Sequence, residues 1–333
     1  MRPLRTKTLR QVMRREITSC LLLIFGSFIT ACVPQETATL PQPTPTPTPT
    51  ETPTPFPIEK YLDPGDYVTA IEVNNIRRLF TVHLPPDYQP GVPLPMVVNL
   101  HAATQSAFQQ DLLSGMNAKA DEENFIVVNP QAIGTPPLWL GPIPDTTGQA
   151  DMDFFEALLE FLQKEIRIDP NRIYATGMSN GATMTNRLGC DMSLTFVAIA
   201  PVAGGHVAFN RCEIDRPVSV IVFHGTDDAT IPYEGVENDI PAVHLWVSAW
   251  AERDGCDSTP ISSQPHTMVT KETWLNCEED VEVTLYTLEG GGHTWPGAPI
   301  NATLGSSFPY ISATDLIWDF FEAHARSFDP QSD

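Results

Sequence analysis

The stretch RIYATGMSNGATMTNRL, residues 172–188, holds the pattern from which the fold is read. Ile173–Thr176 is a short apolar, β-prone run. Gly177-Met178-Ser179-Asn180-Gly181 follows at once and matches G-x-S-x-G, and a helical period then runs from Gly181 to Cys190. As a bare pentapeptide the match is weak, since Gly and Ser are common enough for one to arise by chance in roughly one such chain in ten. The strand–turn–helix context gives it meaning. Glycines let a strained turn approach its neighbours, and the turn lifts a serine hydroxyl above the sheet edge at a helix N-terminus. The competing reading is a turn serine that only caps the helix. The context favours Ser179 as a nucleophile.

Outward from this stretch, strand and helix patterns alternate. Tyr67–Val73 and Arg77–Leu84 alternate like strands around Asn74-Asn75, a good hairpin turn. Pro95–Leu100, Phe125–Asn129, Phe196–Ala200, Val218–Phe223 and Val281–Leu288 are short apolar or β-branched runs, suited to strands buried on both faces. Between them Asp153–Glu165, Ala242–Glu252 and Thr314–His324 carry a helical period. An antiparallel start followed by strand–helix alternation implies an α/β fold: a mostly parallel central sheet with an antiparallel N-terminal hairpin and helices on both faces.

A hydroxyl is a poor nucleophile near neutral pH and needs a base, which in turn needs orienting. Gly290-Gly291-Gly292-His293-Thr294-Trp295-Pro296 directly follows the last strand, and its glycines allow a sharp bend that brings one imidazole to the serine. His293 is therefore the expected base. His83 falls within an early strand and His324 in the terminal helix; His101 and His224 end strands, where structural hydrogen bonding is commoner. His206, His244 and His266 lack a comparable setting. The acid should follow a late strand, and His224-Gly225-Thr226-Asp227-Asp228 offers two carboxylates. A tetrahedral oxyanion needs N–H donors worth roughly 3 kcal/mol each. One is expected from the backbone of Asn180, the other from the loop His101-Ala102-Ala103-Thr104.

With GMSNG at 177–181, AIAPVAG at 198–204, HGTDDATIPY at 224–233, GGGHTWPG at 290–297 and SATDLIWDFF at 312–321, the chain resembles the polyhydroxybutyrate depolymerase and feruloyl esterase group of α/β-hydrolases, related to carbohydrate esterase family 1. The similarity covers roughly residues 78–324. It implies an α/β-hydrolase fold, Asp228 as the acid, and Ala103 as the second oxyanion donor. Such enzymes hydrolyse polyhydroxyalkanoate-type polyesters, or feruloyl and acetyl esters of plant polysaccharide, without a metal or cofactor. One departure is Ala102, where the group usually has glycine. Trp295, two residues from His293, and Trp139, in the Gly/Pro-rich loop where the group places cleft-lining residues, are expected to face the substrate. A serine peptidase on the same fold and a non-catalytic tethered binding lipoprotein are the rival functions.

The N-terminal residues read as an address and a tether. Residues 1–31 start with six basic side chains and continue in an apolar run, Ile17–Ala31, too short for the roughly 20 residues of a spanning helix. The run ends at Ile29-Thr30-Ala31-Cys32, which resembles a bacterial lipobox, so Cys32 is the expected lipid acceptor. Residues 32–58 form a Pro/Thr-rich stalk, extended at about 3.1 Å per residue, and residues 59–333 a single catalytic domain. Residues 1–31 hold six of the 19 Lys and Arg and one of the 41 Asp and Glu, so residues 32–333 carry 13 basic against 40 acidic side chains. Such a charge argues against nucleic acid and against electrostatic binding to anionic lipid. The expected setting is extracytoplasmic, membrane-anchored through Cys32, acting on ester substrates that include polymers, as a monomer. Cys190, Cys212, Cys256 and Cys277 read as two disulfides of an exported chain. Of three pairings, Cys190–Cys212 and Cys256–Cys277 each close a local loop and are preferred; the resemblance supports them. Metal binding is the rival use, but no Cys-x-x-Cys or Cys–His spacing suits it.

Overall fold

Two asparagines turn the chain into its first hairpin. Asn74 (φ 51°) and Asn75 (φ 62°) both adopt positive φ, as a two-residue turn between twisted strands requires, and Val73 pairs with Ile76 across it. The structure is a computed structural model, and it describes residues 63–141, 148–206, 209–237, 239–298 and 307–326. The expected signal, Cys32 and the stalk lie outside the described residues.

Strands β1 (Gly65–Val73), β2 (Ile76–Leu84), β3 (Leu94–Leu100), β4 (Ile126–Pro130), β5 (Ile168–Met178), β6 (Ala198–Val202), β7 (Ser219–Gly225), β8 (Ile261–His266), β9 (Val269–Trp274) and β10 (Val283–Leu288) form one sheet. Its order is β1-β2-β4-β3-β5-β6-β7-β10-β9-β8. The six strands from β4 to β10 in that order are parallel; β1, β2, β8 and β9 are antiparallel and lie toward the edges.

Period-2 alternation divides the core into two layers. Met96, Val98 and Leu100 of β3 pack with α3 (Gln149–Glu165), α4 (Asn180–Asp191) and α5 (Val243–Arg253) through Phe155, Leu158, Met184, Leu188, Trp246 and Trp250. Val97, between them, packs on the other face with α1 (Ala107–Ser114), α2 (Met116–Glu123) and α6 (Ala313–Ala323) through Leu113, Met116, Ile317 and Phe321. Phe125 stacks on Trp318 there at 3.9 Å between centroids. Because both faces are covered, the central strands read as unbroken apolar runs.

The elements depart from the sequence reading in several places, among them β5, which begins at Ile168 rather than Ile173. The hairpin β8–β9 went unforeseen: β8 is a polar edge strand containing Pro265, and an edge strand needs neither an apolar run nor every N–H. Helices α1 and α2 were also unforeseen, although Ser106 and Gln109 close a capping box at the start of α1. Strand β6 starts two residues later than the apolar run, because the Phe196 N–H is taken by the Met192 carbonyl after α4.

Both local disulfides are present, Cys190–Cys212 beside the end of α4 and Cys256–Cys277 between the segments after α5 and β9. A buried ion pair ties the hairpin to α3. Arg78 on β2 donates to Asp151 Oδ1 at 2.8 Å and to the Ala150 carbonyl at 3.1 Å, and its guanidinium lies 4.0 Å from the Phe154 ring centroid. Asp151 Oδ2 accepts from the N–H groups of Leu140 and Gly141. Removing one partner of such a pair strands the other, at about 3–5 kcal/mol. Arg78→Met is therefore expected to lower the unfolding free energy by about 3 kcal/mol or more in a urea titration. A loss under about 1 kcal/mol, the scale of a surface pair, would refute a supporting role.

Candidate active site

Ser179 follows β5 and is the N-cap of α4, in a conformation (φ 58°, ψ −118°) that only a constrained turn holds. Such strain costs about 1–3 kcal/mol and persists where the surroundings over-determine it. Two contacts do so here. A Cβ at Gly177 would stand 2.7 Å from the Leu100 carbonyl oxygen; one at Gly181 would stand 2.4 Å from that oxygen and 2.6 Å from that of His101. Only glycine at both positions lets the turn seat against the end of β3. The Ser179 N–H donates to the Val202 carbonyl on β6 at 2.9 Å.

The strands β5, β6, β7 and β10 are consecutive and parallel, so the segments leaving their C-terminal ends share one edge. The segment after β7 carries Asp227 and Asp228, which the structure separates clearly. Asp227 is exposed, while Asp228 is 3% exposed. Asp228 Oδ1 accepts from the N–H groups of Thr230 and Ile231, each at 2.8 Å, and Oδ2 is 2.8 Å from His293 Nδ1. Burial pushes this carboxyl up, but the hydrogen bonds from His293 and Ile231 outweigh it and hold the group below the usual carboxylate range. His224, fully buried, donates from Nε2 to the Ile231 carbonyl at 2.8 Å and passes 3.4 Å from Asp228 Oδ2.

The loop after β10 is clamped to the segment after β7. Thr226 N–H donates to Leu288 O (3.0 Å), Gly290 N–H to Thr226 Oγ1 (2.8 Å), and Asp227 N–H to Gly291 O (2.9 Å). These bonds fix the backbone that carries His293. Its ring is buried, and with Nδ1 donating to an ionised Asp228, Nε2 is left as the basic nitrogen. Among the described residues Ser179 Oγ makes no hydrogen bond, and a nucleophile–base contact is often loose before substrate arrives.

The two expected oxyanion donors are also uncommitted: among the described residues neither the Asn180 nor the Ala103 N–H donates. Fully buried His101 shapes the second. Its Nδ1 donates to the Ala102 carbonyl at 2.7 Å, and Nε2 accepts from the Ala132 N–H at 3.0 Å. Burial keeps this imidazole below its usual pKa, against the bond to Ala102, and so neutral. Ala102 O and Ala103 N–H belong to one trans peptide and point oppositely, so holding the carbonyl aims the N–H. Ala102 is not at positive φ; the positive φ of this loop falls on Thr104 (68°).

The substrate-facing role expected of Trp139 and Trp295 is corrected. Both rings are 1% exposed and offer a ligand no surface. Trp295 donates from Nε1 to Thr314 Oγ1 at 3.0 Å, tying the His293 loop to α6, and Trp139 donates to the His101 carbonyl at 3.0 Å. Their proximity to the site was legible; their burial was not, because spacing along the chain carries no side-chain direction. Thr226 was not singled out, and its one signal was adjacency to Asp228; His224, expected as a strand-end hydrogen-bonding residue, has that role through Ile231. Among the described residues, the one group spaced for a metal is Cys190, His206 and Cys212, and both of its sulfurs are used in a disulfide.

No protein-family model matches the chain. It is 28% identical over 276 residues to "Putative esterase NocK" of Nocardia uniformis subsp. tsuyamanensis, covering 73% of this chain and 78% of that protein. It is 28% identical to feruloyl esterase B of Piromyces equi (65% of this chain, 42% of that one) and 25% identical to poly(3-hydroxyalkanoate) depolymerase C of Paucimonas lemoignei (64% and 57%). The chain thus spans about half the length of the latter two. Among solved structures, an acetyl xylan esterase from Aspergillus awamori superposes with a TM-score of 0.56 at 16% identity, over 77% of this chain and 99% of that one. The fold is that of the α/β-hydrolases, and the chain is a homologue of proteins named as esterases and polyester depolymerases.

The depressed pKa of Asp228 has a consequence for stability. Unfolded, the carboxyl titrates at about 3.9. The folded state binds fewer protons there, so this contribution is complete above that pH and is lost as pH falls through the lower folded value. Chemical-denaturation curves of the wild type and Asp228→Asn should therefore differ most above about pH 5 and converge as the pH falls through the lowered folded value. A difference that is flat, or that grows with acid, would contradict the assignment.

Proposed function

We propose that the chain is a serine carboxylic-ester hydrolase working through an acyl-enzyme on Ser179. One observation carries the reading: a serine held at positive φ at a helix N-terminus shares a sheet edge with a buried imidazole bonded to a buried carboxylate. In this mechanism His293 Nε2 removes the Ser179 proton as Oγ attacks the ester carbonyl. The N–H groups of Asn180 and Ala103 receive the oxyanion, and the protonated His293 then delivers its proton to the leaving alcohol. Water attacks the acyl-enzyme with the same imidazole as base, releasing the acid and restoring Ser179. Asp228 holds the ring in the tautomer with Nδ1–H and stabilises the imidazolium.

The relatives' names support polyester or feruloyl and acetyl esters as substrates. The two disulfides suit an oxidising compartment. The wider reading is an exported catalytic domain, 59–333, held to a membrane by lipid on Cys32 through the Pro/Thr-rich stalk, acting as a monomer on esters that include polymers.

The test is hydrolysis of a p-nitrophenyl ester series and methyl ferulate by the oxidised full chain beside Ser179→Ala. Wild-type turnover is expected, with kcat lower in the variant by about 10⁴-fold or more. An inert but folded wild type, unlabelled by a fluorophosphonate, would overturn the reading in favour of a binding lipoprotein; cleavage of peptides and not esters would favour a peptidase. In a bacterial host fed an alkynyl fatty acid, the wild type should carry the label and Cys32→Ala should not. Equal labelling of both would remove the anchor.

A further inference from the structure

The two N–H donors assigned to the oxyanion hole sit on different elements. Ala103 lies in the loop after β3, and Asn180 opens α4 after β5. The strands are paired only as far as Leu100 and Gly177, so the sheet itself does not set the spacing of the donors beyond them. A third segment touches both sides. The Pro137 carbonyl accepts from the Thr104 N–H at 2.8 Å, next to Ala103. Two residues on, Trp139 Nε1 donates to the His101 carbonyl at 3.0 Å. On the other side the Trp139 backbone makes a closed pair with the Asn180 side chain: its N–H donates to Asn180 Oδ1 at 2.8 Å, and its carbonyl accepts from Asn180 Nδ2 at 3.0 Å.

This segment is itself held. The Trp139 ring is buried between His101 and Phe155, with centroids at 5.1 and 5.4 Å. The next two N–H groups, of Leu140 and Gly141, bond to Asp151, which is paired with Arg78, and Arg187 donates to the Gly141 carbonyl. A two-bond side-chain lock within the G-x-S-x-G turn and a buried indole donor aimed at a backbone carbonyl are expensive ways merely to close a loop.

The geometry points to Pro137–Trp139 as a bracket that sets the oxyanion hole, with Trp139 and the Asn180 side chain as positioning residues. The inference rests on the serine-esterase reading and extends it. Oxyanion donors act within about 2.7–3.1 Å of the developing charge, and a shift of about 1 Å costs on the order of 10²-fold in rate. Trp139 is buried and the Asn180 side chain is bonded to its backbone, so losing either should fall on the transition state and leave ester binding alone.

Two variants of the full chain separate positioning from packing. Trp139→Phe removes the Nε1 donor and keeps a buried ring; Asn180→Ala removes both side-chain bonds and keeps the backbone donor. Each is expected to lower kcat about 10- to 100-fold with KM within twofold. Affinity for an arylboronic acid, which forms a tetrahedral anion on Ser179, should fall by the same factor as kcat/KM. The double variant should lose less than the product of the singles, because both break one bracket. Asn180→Asp keeps the acceptor for the Trp139 N–H but sets an oxygen against the Trp139 carbonyl and an anion beside the oxyanion hole, so it should lose at least as much kcat as Asn180→Ala. A kcat within twofold of wild type in both single variants would overturn the inference. So would a lowered kcat with unchanged boronate affinity, or losses in kcat that merely track losses in thermal stability across the variants. These outcomes are read against an active wild type; an inert one, with no boronate binding, fails the esterase reading first.

Discussion

The carbonyl oxygens of Leu100 and His101 press against the turn around Ser179 so closely that no Cβ fits at Gly177 or Gly181. This contact between the ends of two neighbouring parallel strands seats the serine turn, and the rest of the edge is built from there. It holds Ser179 at φ 58° as the N-cap from which α4 starts. It also brings the loop after β3 beside the serine. Backbone-to-backbone packing of this kind is stiff, since no rotamer can absorb a displacement. A strained conformation survives there because relaxing it would require parting β3 from β5.

From that contact, support spreads through hydrogen bonds rather than through long apolar side chains. His101 holds a peptide plane, Thr226 joins the segments after β7 and β10, and the Asn180 side chain grips the Trp139 backbone. His101 and His224 are kept uncharged by burial, so among the described residues the ionised Asp228 stands among neutral donors with His293 as its close charge-forming partner. An edge arranged this way can stabilise a proton moving onto His293 without competition from a second imidazolium.

Much of this organisation was legible in the sequence, for identifiable reasons. Apolar runs marked the central strands because helices cover both faces, and Gly-x-Ser-x-Gly and Gly-Gly-Gly-His marked turns that few other residues could make. The same logic failed for β8, a polar edge strand with little to bury, and for α1 and α2, whose short apolar faces are weak even though Ser106 and Gln109 cap the first of them. It also failed for the tryptophans: nearness to a motif was readable, but which way a large ring turns is decided by the space that other elements leave.

The sequence by itself determined the alternation of strand and helix, the serine turn and the glycine-rich histidine loop, since each is written in residues a few positions apart; of the three ways to pair four cysteines it only favoured the local one, which the structure holds. Tertiary structure alone decided which of two adjacent carboxylates is buried against His293, 65 residues away, and that Trp139 grips Asn180, 41 residues away, instead of facing a cleft. Those outcomes depend on desolvation and on hydrogen bonds whose partners meet only when the sheet has assembled.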